Sequence, residues 1–193
     1  MIKGILVSRG FKSVTSNGHE LNYKFETFQN FLNDTDVVNR YLKEVYEKGI
    51  PEYDVFERCS KVTAPLGKEI KVESDLVELA QLANYEGMRN KQHEVVQQYL
   101  LFNDPHTIAT ELPLYMSLME TPNERNWQGH LDILRIYKGK IQIVDFKPKA
   151  DKEKNAGAQL RRYALMFQKR TQISWGDISM LYFDNKSAYS VFF

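Results

Sequence analysis

Two strand-like runs, GHLDILRIY and KIQIVDFK, abut at Lys138-Gly139, and this junction constrains the fold more than any other stretch. Only two residues are available to reverse the chain, and a glycine is suited to the backbone of a tight hairpin turn. The register follows by counting: Tyr137 faces Lys140, and stepping outward brings Asp132 opposite Asp145. Alternate residues of a strand share a face, so Lys147 lies on the face of Asp145. Like charges directly opposite each other are destabilising, and a carboxylate leaves water only at large cost. The pairing therefore calls for a divalent cation between the two acids, or a raised pKa on one. Carboxylate oxygens favour Mg²⁺ or Mn²⁺. An ion held there polarises a phosphodiester oxygen and lowers the pKa of a bound water. Lys147 is placed to orient that water or to steady negative charge developing on phosphorus.

The elements around this hairpin can be read in order. KGILVSRGFKSVT and HELNYKF flank Asn17-Gly18 and read as an N-terminal hairpin. The next segment, TFQNFLNDTDVVNRYLKEVYEKG, sets Phe28, Phe31, Leu32, Val37, Val38, Tyr41, Leu42 and Val45 at helical spacing, with a break expected near Asn33-Asp34 and a stop at Gly49 and Pro51. The segment with Pro51, Pro65 and Gly67 is the best candidate boundary, dividing an elaboration over 1–74 from a core over 75–193. From Asp75 to Leu100 the spacing predicts one long helix, with Asp75 and Glu78 as a capping-box-like start. TELPLY and the two hairpin strands come next, then a helix over about Ala156 to Lys169. Two closing strands, ISMLYF and AYSVFF, turn at Asp184-Asn185-Lys186. This order predicts an α/β fold with a mixed central β-sheet flanked by helices.

Composition narrows the function classes. Hydrophobic residues at 42% and aromatics at 12% suffice for a substantial core. A formal net charge of +1 creates no global attraction for nucleic acid, so any such attraction must be local. The single cysteine, Cys59, excludes an intramolecular disulfide and any four-cysteine zinc or iron–sulfur site. No apolar run is long enough for a membrane span and no leader is evident, so a cytoplasmic protein without a membrane partner is expected.

The spacing D-x(12)-D-F-K, followed by Gln159-Leu160-Arg161-Arg162-Tyr163, resembles the PD-(D/E)xK nuclease superfamily, and within it the RecB-type branch. The resemblance covers about residues 75–193 and implies a restriction-endonuclease-like core. It makes Asp132 and Asp145 the metal-binding acids, Lys147 the catalytic lysine, and the Phe146 carbonyl a further metal ligand. Gln159 and Tyr163, four apart on one helix face, would serve the active site or the DNA strand. A histidine ligand on an upstream helix falls on His93, with Glu86 and Glu94 as acidic rivals, and Glu111 matches a Glu often seen on the preceding strand. Leu131 stands where the signature has proline. No helicase motor is present, which implies a stand-alone nuclease or a subunit working with a helicase or recombination partner. A homodimer or higher oligomer also remains open.

The implied activity is metal-dependent hydrolysis of DNA in recombination, repair or replication. Lys149, Arg161 and Arg162 belong to a basic stretch after Lys147, which beside a phosphodiester site reads as a DNA-backbone patch rather than a solvated helix face. Two other readings use the same residues: a catalytically silent nuclease-fold module for DNA binding or assembly, and an RNA nuclease.

Overall fold

The computed structural model describes residues 6–8, 22–25, 35–51, 53–59, 67–85 and 91–192. Its strands are β1 (Leu6–Ser8), β2 (Asn22–Phe25), β3 (Glu57–Arg58), β4 (Lys68–Val72), β5 (Thr107–Met116), β6 (Trp127–Tyr137), β7 (Lys140–Phe146), β8 (Ile178–Phe183) and β9 (Ala188–Phe192). The α-helices are α1 (Thr35–Lys48), α2 (Asp75–Leu82), α3 (Gln92–Asn103) and α4 (Ala156–Thr171). All these strands join one sheet in the order β1-β2-β5-β6-β7-β8-β9-β4, with β3 added alongside β6. The sheet is mixed: β7 pairs β8 and β3 pairs β6 in parallel, and the other pairs are antiparallel. A parallel neighbour needs a crossover, and α4 supplies it between β7 and β8. Strands from both sides of residue 75 thus share the sheet.

Both faces of the central strands are covered, which explains their nearly unbroken apolar runs. Leu134, Ile136, Ile141 and Ile143 join the cluster that holds α1 and α4 side chains such as Leu42, Leu160 and Phe167. Their neighbours Ile133, Val144 and Phe146 join a second cluster with Leu76, Val96 and Leu100 of α2 and α3. Strand alternation assigns one set to each face.

Several helix boundaries follow local chemistry. Gly49 takes a left-handed φ of 73° and donates its N–H to the Val45 carbonyl at 2.8 Å, closing α1 before Pro51. The single long helix expected from Asp75 to Leu100 is instead two, α2 and α3. Asn84 adopts a left-handed φ of 49°, a conformation asparagine tolerates and a helix interior does not. The start of α2 also differs from expectation. Its cap is Ser74, whose side chain accepts from the Leu76 N–H at 3.3 Å. Asp75 reaches toward the sheet instead. The N-terminal pair is present, with Leu6 opposite Phe25, while the Asn17-Gly18 turn and the part of the expected helix with Phe28, Phe31 and Leu32 lie outside the described residues. No helix among the described residues is long and apolar enough to cross a membrane.

Asp75 is drawn inward by Arg135 of β6, a fully buried arginine. Its Nε donates to Asp104 Oδ2 at 2.8 Å, its Nη2 to Asp75 Oδ2 at 2.7 Å, and its Nη1 to Gln142 Oε1 at 3.0 Å. This network ties α2 and the end of α3 to the β6–β7 pair. Burial works to raise the Asp75 pKa, but the hydrogen bonds and charge of Arg135 outweigh it and hold the carboxyl below its usual value. A depressed folded pKa stabilises above the ordinary carboxylate range, and that contribution is lost as pH falls through the folded value. Arg135→Met is expected to cost about 3–5 kcal/mol at pH 7, since it strands buried acids. Urea titration checks this, and the deficit should shrink in acid as Asp75 protonates.

Candidate active site

The β6–β7 turn is the two-residue hairpin that the sequence requires. Lys138 and Gly139 take positive φ values of 50° and 74°, matching the twist of the flanking strands. Pairing runs from Tyr137–Lys140 to Ile133–Val144, so the next step in register is Asp132 with Asp145. Regular pairing stops there. The Phe146 N–H donates to Asp132 Oδ2 at 3.0 Å, so the acid's side chain takes over at the strand end. Asp145 is fully buried, and Asp132 is 9% exposed.

The neighbouring strand extends the row. On β5, Thr110 pairs Ile133 and Leu112 pairs Leu131, so Glu111 falls at the level of Asp132. Glu111 has a left-handed φ of 53°, a backbone state costing roughly 1–3 kcal/mol for a residue with a side chain. Its Oε1 accepts from Gln97 Nε2 of α3 at 2.6 Å. From the same helix, His93 brings Nδ1 to 3.2 Å from Asp132 Oδ2, and its ring meets Phe146 edge-on at 5.2 Å. Glu94 points away, exposed, with Gln98 Nε2 at 3.4 Å from its Oε1. Glu86 lies outside the described residues.

On the other side, α4 lays a glutamine between the acid and the lysine. Gln159 Oε1 accepts from Lys147 Nζ at 3.0 Å, while Gln159 Nε2 donates to the Tyr163 hydroxyl at 3.0 Å and lies 3.4 Å from Asp145 Oδ1. Helical spacing four apart stacks Gln159 and Tyr163 on one face, where both are buried. Lys147 Nζ stands 2.6 Å from the buried Asp145 Oδ2, a close ion pair whose ammonium donates toward the carboxylate.

Electrostatics follow from this crowding. Burial, and then the charge of Asp132, push Asp145 up to about 7, against the pull of Lys147. Burial disfavours the Lys147 ammonium, but Asp145 and Asp132 outweigh it and raise its pKa. His93 behaves alike: burial opposes its charge, and the hydrogen bond and charge of Asp132 raise its pKa nonetheless. The Tyr163 phenol is pushed up, chiefly by burial, so it serves as a hydrogen-bonding group rather than a base.

The basic residues divide. Lys149 is exposed, and Arg161 is half-buried. Arg162 is engaged within the protein, with Nη2 2.9 Å from Glu57 Oε1 and its guanidinium 4.5 Å over the Trp127 ring. Two supports carried no sequence signal. Asp184 accepts at Oδ1 from the Lys186 and Ser187 N–H groups, each at 2.7 Å, and at Oδ2 from Ala150 N–H at 2.9 Å. With Lys147 N–H bonded to the Phe183 carbonyl at 2.9 Å, this staples the segment carrying Lys147 to the β8–β9 turn. Asp-Asn-Lys reads only as a turn, because its tie to Ala150 spans 34 residues. Gly129 is the other support, pressed against Tyr163.

No protein-family model, curated protein or solved structure matches the chain significantly. What the site can do is therefore argued from its own geometry. Among the described residues, no three His, Cys, Asp or Glu side chains form a ready-made metal-binding group.

An acid whose folded pKa is raised binds its proton more tightly when folded, so it costs stability as pH rises from the ordinary carboxylate value through about 7. Asp145→Asn removes that cost. In chelator at pH 8 the variant is expected to be more stable than wild type, because it carries no buried charge to ionise. The gain should fade toward pH 5. Denaturant midpoints at both pH values provide the check.

Proposed function

We propose that this protein is a metal-dependent deoxyribonuclease, built on a restriction-endonuclease-like core and hydrolysing phosphodiester bonds in DNA. One observation carries the reading. Two acids from adjacent strands, a lysine two residues beyond the second acid and a helix glutamine converge at one strand end, where Lys147 and Gln159 each meet Asp145 and one another. The crowding is of the kind that functional sites show: burial and the charge of Asp132 push Asp145 up to about 7 despite the adjoining Lys147.

The donor set suits an oxygen-preferring divalent ion. Asp132 and Asp145 would hold Mg²⁺ or Mn²⁺, with His93 or the Phe146 carbonyl as a further ligand and water completing the shell. When bound, such an ion supplies charge to polarise the phosphodiester and acidifies a coordinated water. The chain's own residues do the rest. Gln159 holds the Lys147 ammonium in place through its carbonyl oxygen. Lys147, charged by virtue of the two acids, offers N–H donors to a phosphate oxygen or to the attacking water. Tyr163, kept neutral, fixes the glutamine. Lys149, exposed just beyond Lys147, is placed to meet the DNA backbone.

The purified 193-residue chain is expected to cut DNA with Mg²⁺ or Mn²⁺ and to stop in EDTA. Asp145→Ala and Lys147→Ala are each expected to lower turnover by on the order of 10³-fold or more. If both variants cut as fast as wild type under matched metal, the assignment is wrong. Salt-sensitive DNA binding that survives loss of both acids, without turnover, would replace it with a silent DNA-binding module. A parallel RNA assay separates the two nucleic acids.

A further inference from the structure

Gly129 precedes Asp132 by three residues on β6 and lies beneath the ring of Tyr163. A Cβ built at 129 would stand 2.8 Å from Tyr163 Cε1, 3.3 Å from the Tyr163 hydroxyl and 3.4 Å from the Cys59 Cβ. Carbon atoms pack at about 3.5–4.0 Å, so the first of these separations cannot be held. The atoms in the way belong to a buried ring, not to the free end of a flexible chain. Cys59, itself buried, closes on the same point from another side. Backbone freedom is not the reason for glycine here; close approach is.

That approach has a consequence two bonds away. Tyr163 reaches the hydroxyl position from which it accepts the Gln159 Nε2 proton at 3.0 Å. A glutamine amide has one donor end and one acceptor end. Committing Nε2 to Tyr163 and toward Asp145 leaves Oε1 facing Lys147, which donates to it at 3.0 Å. If the hydroxyl shifts, the amide loses the bond that fixes its sense, and Lys147 loses its acceptor.

We infer that Gly129 is a positioning residue: its missing side chain lets the Tyr163 hydroxyl set the Gln159 amide, and the amide sets the Lys147 ammonium. The inference deepens the nuclease reading and rests on it for the role given to Lys147. The relay itself rests on the packing.

The test uses the full chain as wild type, Gly129→Ala, Tyr163→Phe and the double variant, assayed for DNA cleavage with Mn²⁺. Tyr163→Phe keeps the ring and its packing while removing the hydroxyl. Each single variant is expected to lower kcat on the order of 100-fold, the scale for a misplaced catalytic group, with KM changed less than about threefold. The double variant should be no more than about threefold slower than either single one, because both act through one hydroxyl. Costs that multiply would make Gly129 an independent structural residue and overturn the inference. A second readout needs no activity: the side-chain amide resonances of Gln159 in ¹⁵N spectra should move in both single variants. If wild type does not cut DNA, the nuclease reading fails, and these resonances still decide the relay. If Gly129→Ala does not fold, Tyr163→Phe decides: wild-type kcat and unmoved Gln159 resonances refute the relay.

Discussion

A carboxylate buried in a sheet covered on both faces is the constraint around which the rest of this structure is arranged. Asp145 has no exposed surface, and an isolated ionised carboxylate in such a place would cost many kilocalories. The cost is reduced by groups from several parts of the chain. Lys147 comes from two residues further on, Gln159 from the crossover helix, and the Asp184 staple holds the segment between them. The crossover is itself required because β7 and β8 are parallel. Sheet topology therefore delivers the glutamine helix to the strand that carries the acid. Fold and site are one arrangement rather than a scaffold with residues grafted on.

Much of this was legible from local chemistry. The Lys138-Gly139 turn announced the β6–β7 register, and the structure pairs Tyr137–Lys140 through Ile133–Val144, one step short of Asp132 and Asp145. The expected α/β class with a mixed, helix-flanked sheet is likewise present. Helix α4 and the two closing strands could be read from apolar spacing, and α4 runs to Thr171, two residues past the expected end, where Gln172 turns left-handed at φ 60°. No glycine marks that stop, so spacing alone could not locate it.

What was illegible depended on distant partners. The break between α2 and α3 comes from Asn84, which a periodicity count treats as one more polar helix residue. Asp75 looks like a helix cap until Arg135, 60 residues away, claims it. Arg162 looks like a DNA-facing charge, yet Glu57 and the Trp127 ring occupy it, and β3 meets β6 only through a parallel pairing that no turn announces. Gly129 in GHLD reads as a weak point in a strand, because its reason is an aromatic ring arriving from α4. Apart from the local turn at Asn84, each of these features depends on parts of the chain far apart in sequence.

The β6–β7 pair buries charge on both of its faces, and the two clusters differ in kind. Arg135 spends its donors on Asp75, Asp104 and Gln142, with Asp75 engaged through both oxygens. Opposite charges meet through aligned hydrogen bonds, which is how a protein makes a buried ion stable. At the strand end the balance is otherwise. Asp132 lies one register step from Asp145, and its charge, after burial, pushes the second acid up to about 7 against the pull of Lys147. Glu111 adds a third carboxylate at the same level, on backbone in a costly conformation. A sequence selected only for stability could have placed a saturated network like that of Arg135 at both positions. Three carboxylates at one level, with Lys147 and His93 beside them, are understandable if something positive is meant to arrive, and the proposal of a divalent cation at Asp132 and Asp145 rests on that crowding.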